Sequence, residues 1–250
     1  MKKPKLMNLL VLFLGAYVLL AVGCAVMQRK LLFFPSHHHL DTGLTAWKKE
    51  GRIIGYSRQV PAPQNVWLML HGNAGQAADR AYAIPSFSAR DSVFILEYPG
   101  YGAREGKPSK TSLDAAAAEA FLLLRNTFPK TPICVMAESI GSGPACALAN
   151  QPQPPEKIVL VVPFDTLQSA AADHFPFLPV GLILRENWDN IRSLSGYKGP
   201  VEIFGAQEDT IIPIRHAKKL ADSLPSAKFH IIPGGHNDWT EQGRVEIRNP

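Results

Sequence analysis

The sequence predicts an α/β fold in which a mostly parallel central sheet is flanked by helices. Short apolar runs recur along the chain and stop abruptly at Gly or Pro. They are apolar at nearly every position, as strands buried on both faces must be. Longer stretches of helical composition separate them, and strand alternating with helix implies a parallel sheet. A chain of 250 residues, 46% hydrophobic and 19% charged, can bury one large core and is too apolar to be disordered.

The first segment stands apart. Residues 9–27 carry no charge. As a helix they would extend about 28 Å, the thickness of a bilayer's hydrocarbon core. Lys2, Lys3 and Lys5 precede the run, and Arg29 and Lys30 follow it. The larger cluster favours the cytoplasmic side, so the rest of the chain is expected on the exported side. Three fates fit the pattern: a retained single-pass anchor, a cleaved signal, or a lipoprotein acylated at Cys24 within Ala21-Val22-Gly23-Cys24. Residues 1–30 are therefore read as a signal or membrane-anchor segment, and 31–250 as the folded domain.

These five basic residues account for the whole net charge of +5. The folded domain is left neutral, which excludes a nucleic-acid partner. Cys24, Cys134 and Cys146 are too few and odd in number for a disulfide framework. Cys134 and Cys146 read as small core residues. Residues 28–35 turn from basic to aromatic, which suits a membrane interface. His37, His38 and His39 follow, but consecutive side chains diverge, so they read as a solvated loop. Neither metal nor cofactor is expected.

Strands are expected at 66–70, 93–96, 133–136, 158–162, 201–204 and 229–232. The clearest helix is 112–126, with Ser112 or Asp114 near its start. Further helices are expected at 74–88, 141–150, 214–224 and 236–245. Residues 166–198 break the rhythm and are rich in Phe, Pro and Leu. They read as a helical excursion over the strand ends, where ligands bind in such sheets. A largely apolar excursion there would line a pocket for an apolar substrate group.

Four stretches carry chemistry. In Ala137-Glu138-Ser139-Ile140-Gly141 a strand runs into a serine and a helix follows. A sharp turn at an exposed nucleophile tolerates only small residues two before and two after, hence the G-x-S-x-G signature, here with Ala137 first. His71-Gly72-Asn73-Ala74-Gly75 follows the strand 66–70. Such a turn offers backbone N–H groups for an oxyanion hole, with Asn73 the first choice, Ala74 the second and Ile140 as partner. His71 itself reads as structural.

After the strand 201–204 come Glu208 and Asp209, either of which could orient a histidine. The spacing to Pro213 favours Asp209, and Asp165 is an outside candidate. Gly234-Gly235-His236 follows the last strand and lets an imidazole reach the serine. The order Ser139, Asp209, His236 is the order of nucleophile, acid and base in one hydrolase architecture.

Together the four stretches resemble the α/β-hydrolase superfamily, and more narrowly its small, membrane-anchored members without a large cap. Residues 31–36, 71–75, 97–102, 137–143, 163–165, 209–213 and 235–238 carry the likeness. Ala137 and Ala103, where Ser is frequent, depart from it. The resemblance implies a serine acyl hydrolase acting on an ester or thioester, with a small acyl ester or lipid-like substrate. An aminopeptidase or amidase on the same triad, or a silent membrane-bound binding protein, are the competing expectations.

Overall fold

The computed structural model describes residues 3–241 and 245–247. Helix α1 (Lys3–Leu32) contains the apolar segment. A two-residue strand β1 (Phe34–Pro35) follows and pairs in parallel with β5 (Ala74–Gly75). The main sheet contains β2 (Thr45–Lys49), β3 (Arg52–Arg58), β4 (Val66–Leu70), β6 (Ser92–Leu96), β7 (Ile133–Glu138), β8 (Ile158–Val161), β9 (Val201–Ala206) and β10 (Lys228–Ile232). Its order is β10-β9-β8-β7-β4-β6-β3-β2. Among the described residues, only the pairs β2–β3 and β3–β6 of this sheet are antiparallel. The expected fold class and all six expected strands are present, several extended by one or two residues.

The central strands are buried throughout, which is why they read as unbroken apolar runs. Helices cover both faces. On one lie α2 (Lys110–Thr127), α3 (Ser142–Ala147) and α7 (Arg215–Asp222), burying Leu113, Phe121, Ala145 and Leu220 in the larger core. The opposite face holds Trp67, Met69, Met136 and Trp239. Cys134 and Cys146 are buried as expected. Burial pushes the Cys134 thiol up to about 12, so it is inert at neutral pH.

Several elements differ from the sequence reading. The hairpin β2–β3 was not expected, because Gly55 and a single bulge break its alternation. Its turn is Glu50-Gly51, with φ of 52° and 79°, the paired positive values of a tight hairpin turn. The expected helix at 74–88 is a 3-10 helix at Ala77–Ser86 with Pro85 inside it. A proline there blocks regular α-helical bonding. Helix α2 starts earlier than expected, capped by Ser109, whose hydroxyl accepts the N–H of Ser112 at 3.0 Å. Residues 236–240 of the expected helix 236–245 are not helical, and 242–244 lie outside the described residues. Asp238 turns the chain there by accepting the N–H of Gly235 at 2.8 Å.

The excursion between β8 and β9 holds three short helices: α4 (Leu167–His174), α5 (Val180–Ile183) and α6 (Asn190–Leu194). It is fastened from below. The Trp188 indole N–H donates to Asp114 on α2 at 2.7 Å, and Asn190 reaches Ser142 and the Phe164 carbonyl.

The close approach of β4 to the turn after β7 requires glycine. A Cβ on Gly141 would sit 2.3 Å from the Leu70 carbonyl oxygen and 2.8 Å from that of His71. Both obstacles are backbone and cannot move aside cheaply. Gly141→Ala is expected to destabilise the fold by about 1–3 kcal/mol. Because the turn carries Ser139, the substitution should also lower any turnover that depends on that serine. Paired denaturation and rate measurements check this, and unchanged values would remove the steric argument.

Candidate active site

Ser139 sits between β7 and a 3-10 turn at Ser139–Gly141. Its φ is 54°, a left-handed conformation that costs a non-glycine residue energy. That strain is what lifts the side chain off the strand end. Ala137, at the softened position of the motif, is fully buried and in register between Leu70 and Leu160. The small side chain fits there without opening the turn.

His236 comes to the serine from the loop after β10. Gly234, at φ 86°, supplies the bend, and the Glu208 N–H holds the Gly234 carbonyl at 3.0 Å. The His236 Nε2 is 2.9 Å from Ser139 Oγ, and its Nδ1 is 2.7 Å from Asp209 Oδ2. The other carboxylate oxygen of Asp209 accepts the N–H groups of Ile211 and Ile212 at 2.8 and 2.7 Å. A carboxylate can only accept, so Nδ1 carries the proton, and Nε2 is left to accept from the serine hydroxyl. All three side chains are buried.

Ser139, Asp209 and His236 are therefore brought together, while the competing acids are not. Glu208 points to solvent. Asp165 is fully buried but faces a different histidine, His216. Asn73, Ala74 and Ile140 all line the same cavity as Ser139. The Asn73 side chain is held by the Tyr101 hydroxyl at 3.2 Å. His71 is buried against Tyr98 and Tyr101 and is not among the residues that line the cavity.

The cavity has a volume of about 590 Å³. Its walls are mainly apolar: Leu31, Leu32, Phe34, Leu167, Phe175 and Ile212 are among them. The excursion thus supplies one wall, and the chain leaving α1 supplies another. Two charged wall residues escaped the sequence reading. Glu138 and Arg80 line the cavity, and Tyr82 donates to Glu138 at 3.1 Å. Arg80 lies 4.0 Å from the same carboxylate. Glu138 was visible only as the variable residue of the serine motif. His37 and His38 are each engaged separately, with the Gly102 carbonyl at 2.9 Å and with Asp79 at 3.1 Å.

A second ionic network, with Asp165 and His216 buried at its centre and Asp173, Arg215 and Lys219 at its exposed rim, joins α4 to α7. His216 Nδ1 is 2.7 Å from Asp165, and its Nε2 is 2.5 Å from Asp173 on α4. Lys219 reaches Asp165 at 2.6 Å, and Arg215 pairs with Asp173. Hydrogen bonding to Asp165, supported by Asp173 and opposed by burial, raises the His216 pKa. Burial opposes ionisation of Asp165, but the bonds from His216 and Lys219 outweigh it and hold the carboxyl well below its usual range. A carboxylate on each ring nitrogen favours the charged imidazolium form of His216.

This architecture has counterparts among known proteins. No protein-family model matches the chain. An uncharacterized protein of Mycobacterium tuberculosis is 30% identical over 229 residues, covering 84% of this chain and 81% of that one. The alpha/beta hydrolase domain-containing protein aho-3 of Caenorhabditis elegans is 30% identical over 207 residues, covering 80% and 60%. Among solved structures, the Pyrococcus furiosus esterase Pf2001 matches with a TM-score of 0.62 at 13% identity, over 84% of this chain and 91% of that one. The chain belongs to the α/β-hydrolase superfamily. Within it, the chain is similar to alpha/beta hydrolase domain-containing proteins, including the lysophosphatidylserine lipase ABHD12 of Danio rerio. That relative is 27% identical over 206 residues, which cover 71% of this chain but 53% of the lipase.

Proposed function

We propose that the protein is a serine hydrolase that cleaves a carboxylic ester or thioester, anchored in a membrane by residues 1–30, with 31–250 as its catalytic domain. The observation that carries this reading is the continuous chain Asp209–His236–Ser139 on the wall of an apolar cavity. Ser139 Oγ attacks the acyl carbonyl while His236 Nε2 takes its proton. The N–H groups of Asn73 and Ile140 receive the oxyanion, each worth roughly 3 kcal/mol of barrier. The intermediate collapses to an acyl-serine, and the alcohol or thiol leaves with the proton from His236. Water then repeats the sequence, releasing the acid and restoring the serine. Asp209 holds the imidazole in its tautomer and stabilises the imidazolium.

The apolar cavity supports a substrate with an apolar acyl group, and the lipase relative supports a lipid ester. Helix α1 is long and apolar enough to cross a bilayer, which supports the anchor. Glu138 is the acid that an amine-recognising peptidase would need at this position. It is already engaged by Tyr82 and Arg80, so a free amine would have to displace those contacts.

A fluorophosphonate probe is expected to label the folded protein at Ser139. A panel of esters and thioesters should then show rates rising with acyl chain length. Absence of labelling would overturn the activated serine. Labelling without turnover would point to a binding protein, and preference for peptide amides to a peptidase.

A further inference from the structure

We propose that residues 175–184 form a second membrane-inserted element, a wedge lying in the same leaflet as the C-terminal half of α1, so that the cavity opens toward lipid. The inference rests on the reading of α1 as an anchor.

The segment reads Phe175-Pro176-Phe177-Leu178-Pro179-Val180-Gly181-Leu182-Ile183-Leu184 and has no polar side chain. Phe177 and Leu182 are each 87% exposed, and Phe175 is 56% exposed. Single exposed apolar residues are ordinary, but three on one ten-residue tip form a patch that calls for a partner.

Its position beside α1 says which partner. The Tyr17 hydroxyl donates to the Phe177 carbonyl at 2.9 Å. Gln28 donates to the Ile183 carbonyl at 3.3 Å and accepts the N–H of Arg185 at 2.8 Å. Tyr17 and Gln28 are separated by about 16 Å along a helix axis. The tip therefore runs alongside the apolar part of α1, whose outward residues are themselves exposed. A bilayer that surrounds α1 at Tyr17 must also meet Phe177.

Two further features fit lipid and not water. Backbone groups in hydrocarbon must be satisfied internally. Here Pro176 and Pro179 have no N–H, and five of the eight remaining N–H groups, those of Leu178, Val180, Leu182, Ile183 and Leu184, bond within the segment. The charged residues begin at one level on both elements, where Arg29 pairs with Glu186 at 2.5 Å, next to Lys30 and Arg185. That ring suits the headgroup layer. Leu31, Leu32, Phe34 and Phe175 line the cavity below it, so an acyl chain could pass from the leaflet to Ser139 along an apolar wall.

The test uses the full chain with Cys24→Ala, reconstituted in phosphatidylcholine vesicles. Cys134 and Cys146 are buried and do not compete for label. An environment-sensitive fluorophore is placed in turn at Phe177→Cys, Leu182→Cys, Val22→Cys on α1 and Leu122→Cys on the far helix α2. Labels at 177 and 182 should be quenched by acyl-chain nitroxide lipids as strongly as the label at 22, and protected from iodide. The label at 122 should show the reverse. If 22 is quenched by lipid while 177 and 182 are open to iodide, the wedge is overturned and the anchor stands. If 22 is also open to iodide, the anchor fails and the wedge with it. Protection of 177 and 182 from both quenchers would mean a second protein copy covers the tip, which also overturns the wedge.

Discussion

Ser139→Ala is expected to lower kcat on the preferred ester by roughly a millionfold while leaving the fold intact. His236→Ala should cost about as much, and Asp209→Ala less, roughly 10⁴-fold. The physical reason is that, in the proposed mechanism, the three act as one unit. Without the serine there is no acyl-enzyme, and without the imidazole the hydroxyl keeps its proton. The double variant Ser139→Ala with His236→Ala should therefore be no slower than either single variant. Steady-state rates, with thermal melting to verify folding, read this out. Activity of Ser139→Ala within about tenfold of the parent would sink the assignment, because binding and oxyanion stabilisation alone do not reach that level.

Asp165→Ala is expected to have the largest effect on stability, about 3–5 kcal/mol, as for the loss of one partner from a buried ion pair. It leaves His216 charged and buried with only Asp173, and it frees Lys219. The sign of the pH dependence follows from the shifts. His216 has a raised folded pKa, so its contribution is full below its unfolded value near 6.5 and is lost as pH rises through the folded value. Asp165 and Asp173 have lowered folded values, so theirs is present above roughly pH 4 and is lost as pH falls through those values. The network is strongest between about pH 4 and 6.5. Melting temperature should fall as pH rises above that window, and fall less in Asp165→Ala. A parallel decline in both would refute the linkage. Asp173 belongs to α4, whose Leu167, Ala170 and Ala171 line the cavity, so the network also seats one wall of the site.

The core strands were legible because β4, β6, β7, β8 and β9 are buried on both faces and so carry an unmistakable apolar run. The hairpin β2–β3 was not, because it lies at the sheet edge and mixes exposed with buried positions. The serine turn, the acid at the β9 end and the histidine after β10 could be read because each sits where a strand stops, and loops there converge in a parallel sheet. Asp165 shows the limit of that logic. It too ends a strand, yet its partner on α7 is set by helix packing that spacing does not encode. Arg80 and Glu138 were hidden for the same reason. Their meeting depends on how the 3-10 helix, packed on β3 and β6, brings Arg80 and Tyr82 to the end of β7.

The short pairing of β1 with β5 has a practical side. Phe34 and Pro35 run in register with Ala74 and Gly75, and the Ser36 N–H continues the ladder to the Gly75 carbonyl at 2.9 Å. Gln76 donates to the His38 carbonyl at 2.7 Å. The residues that leave α1 are thus stitched to the loop that presents Asn73. A version trimmed past His38 would cut those stitches, so a shortened chain keeps that loop tied down only if it begins before Phe34.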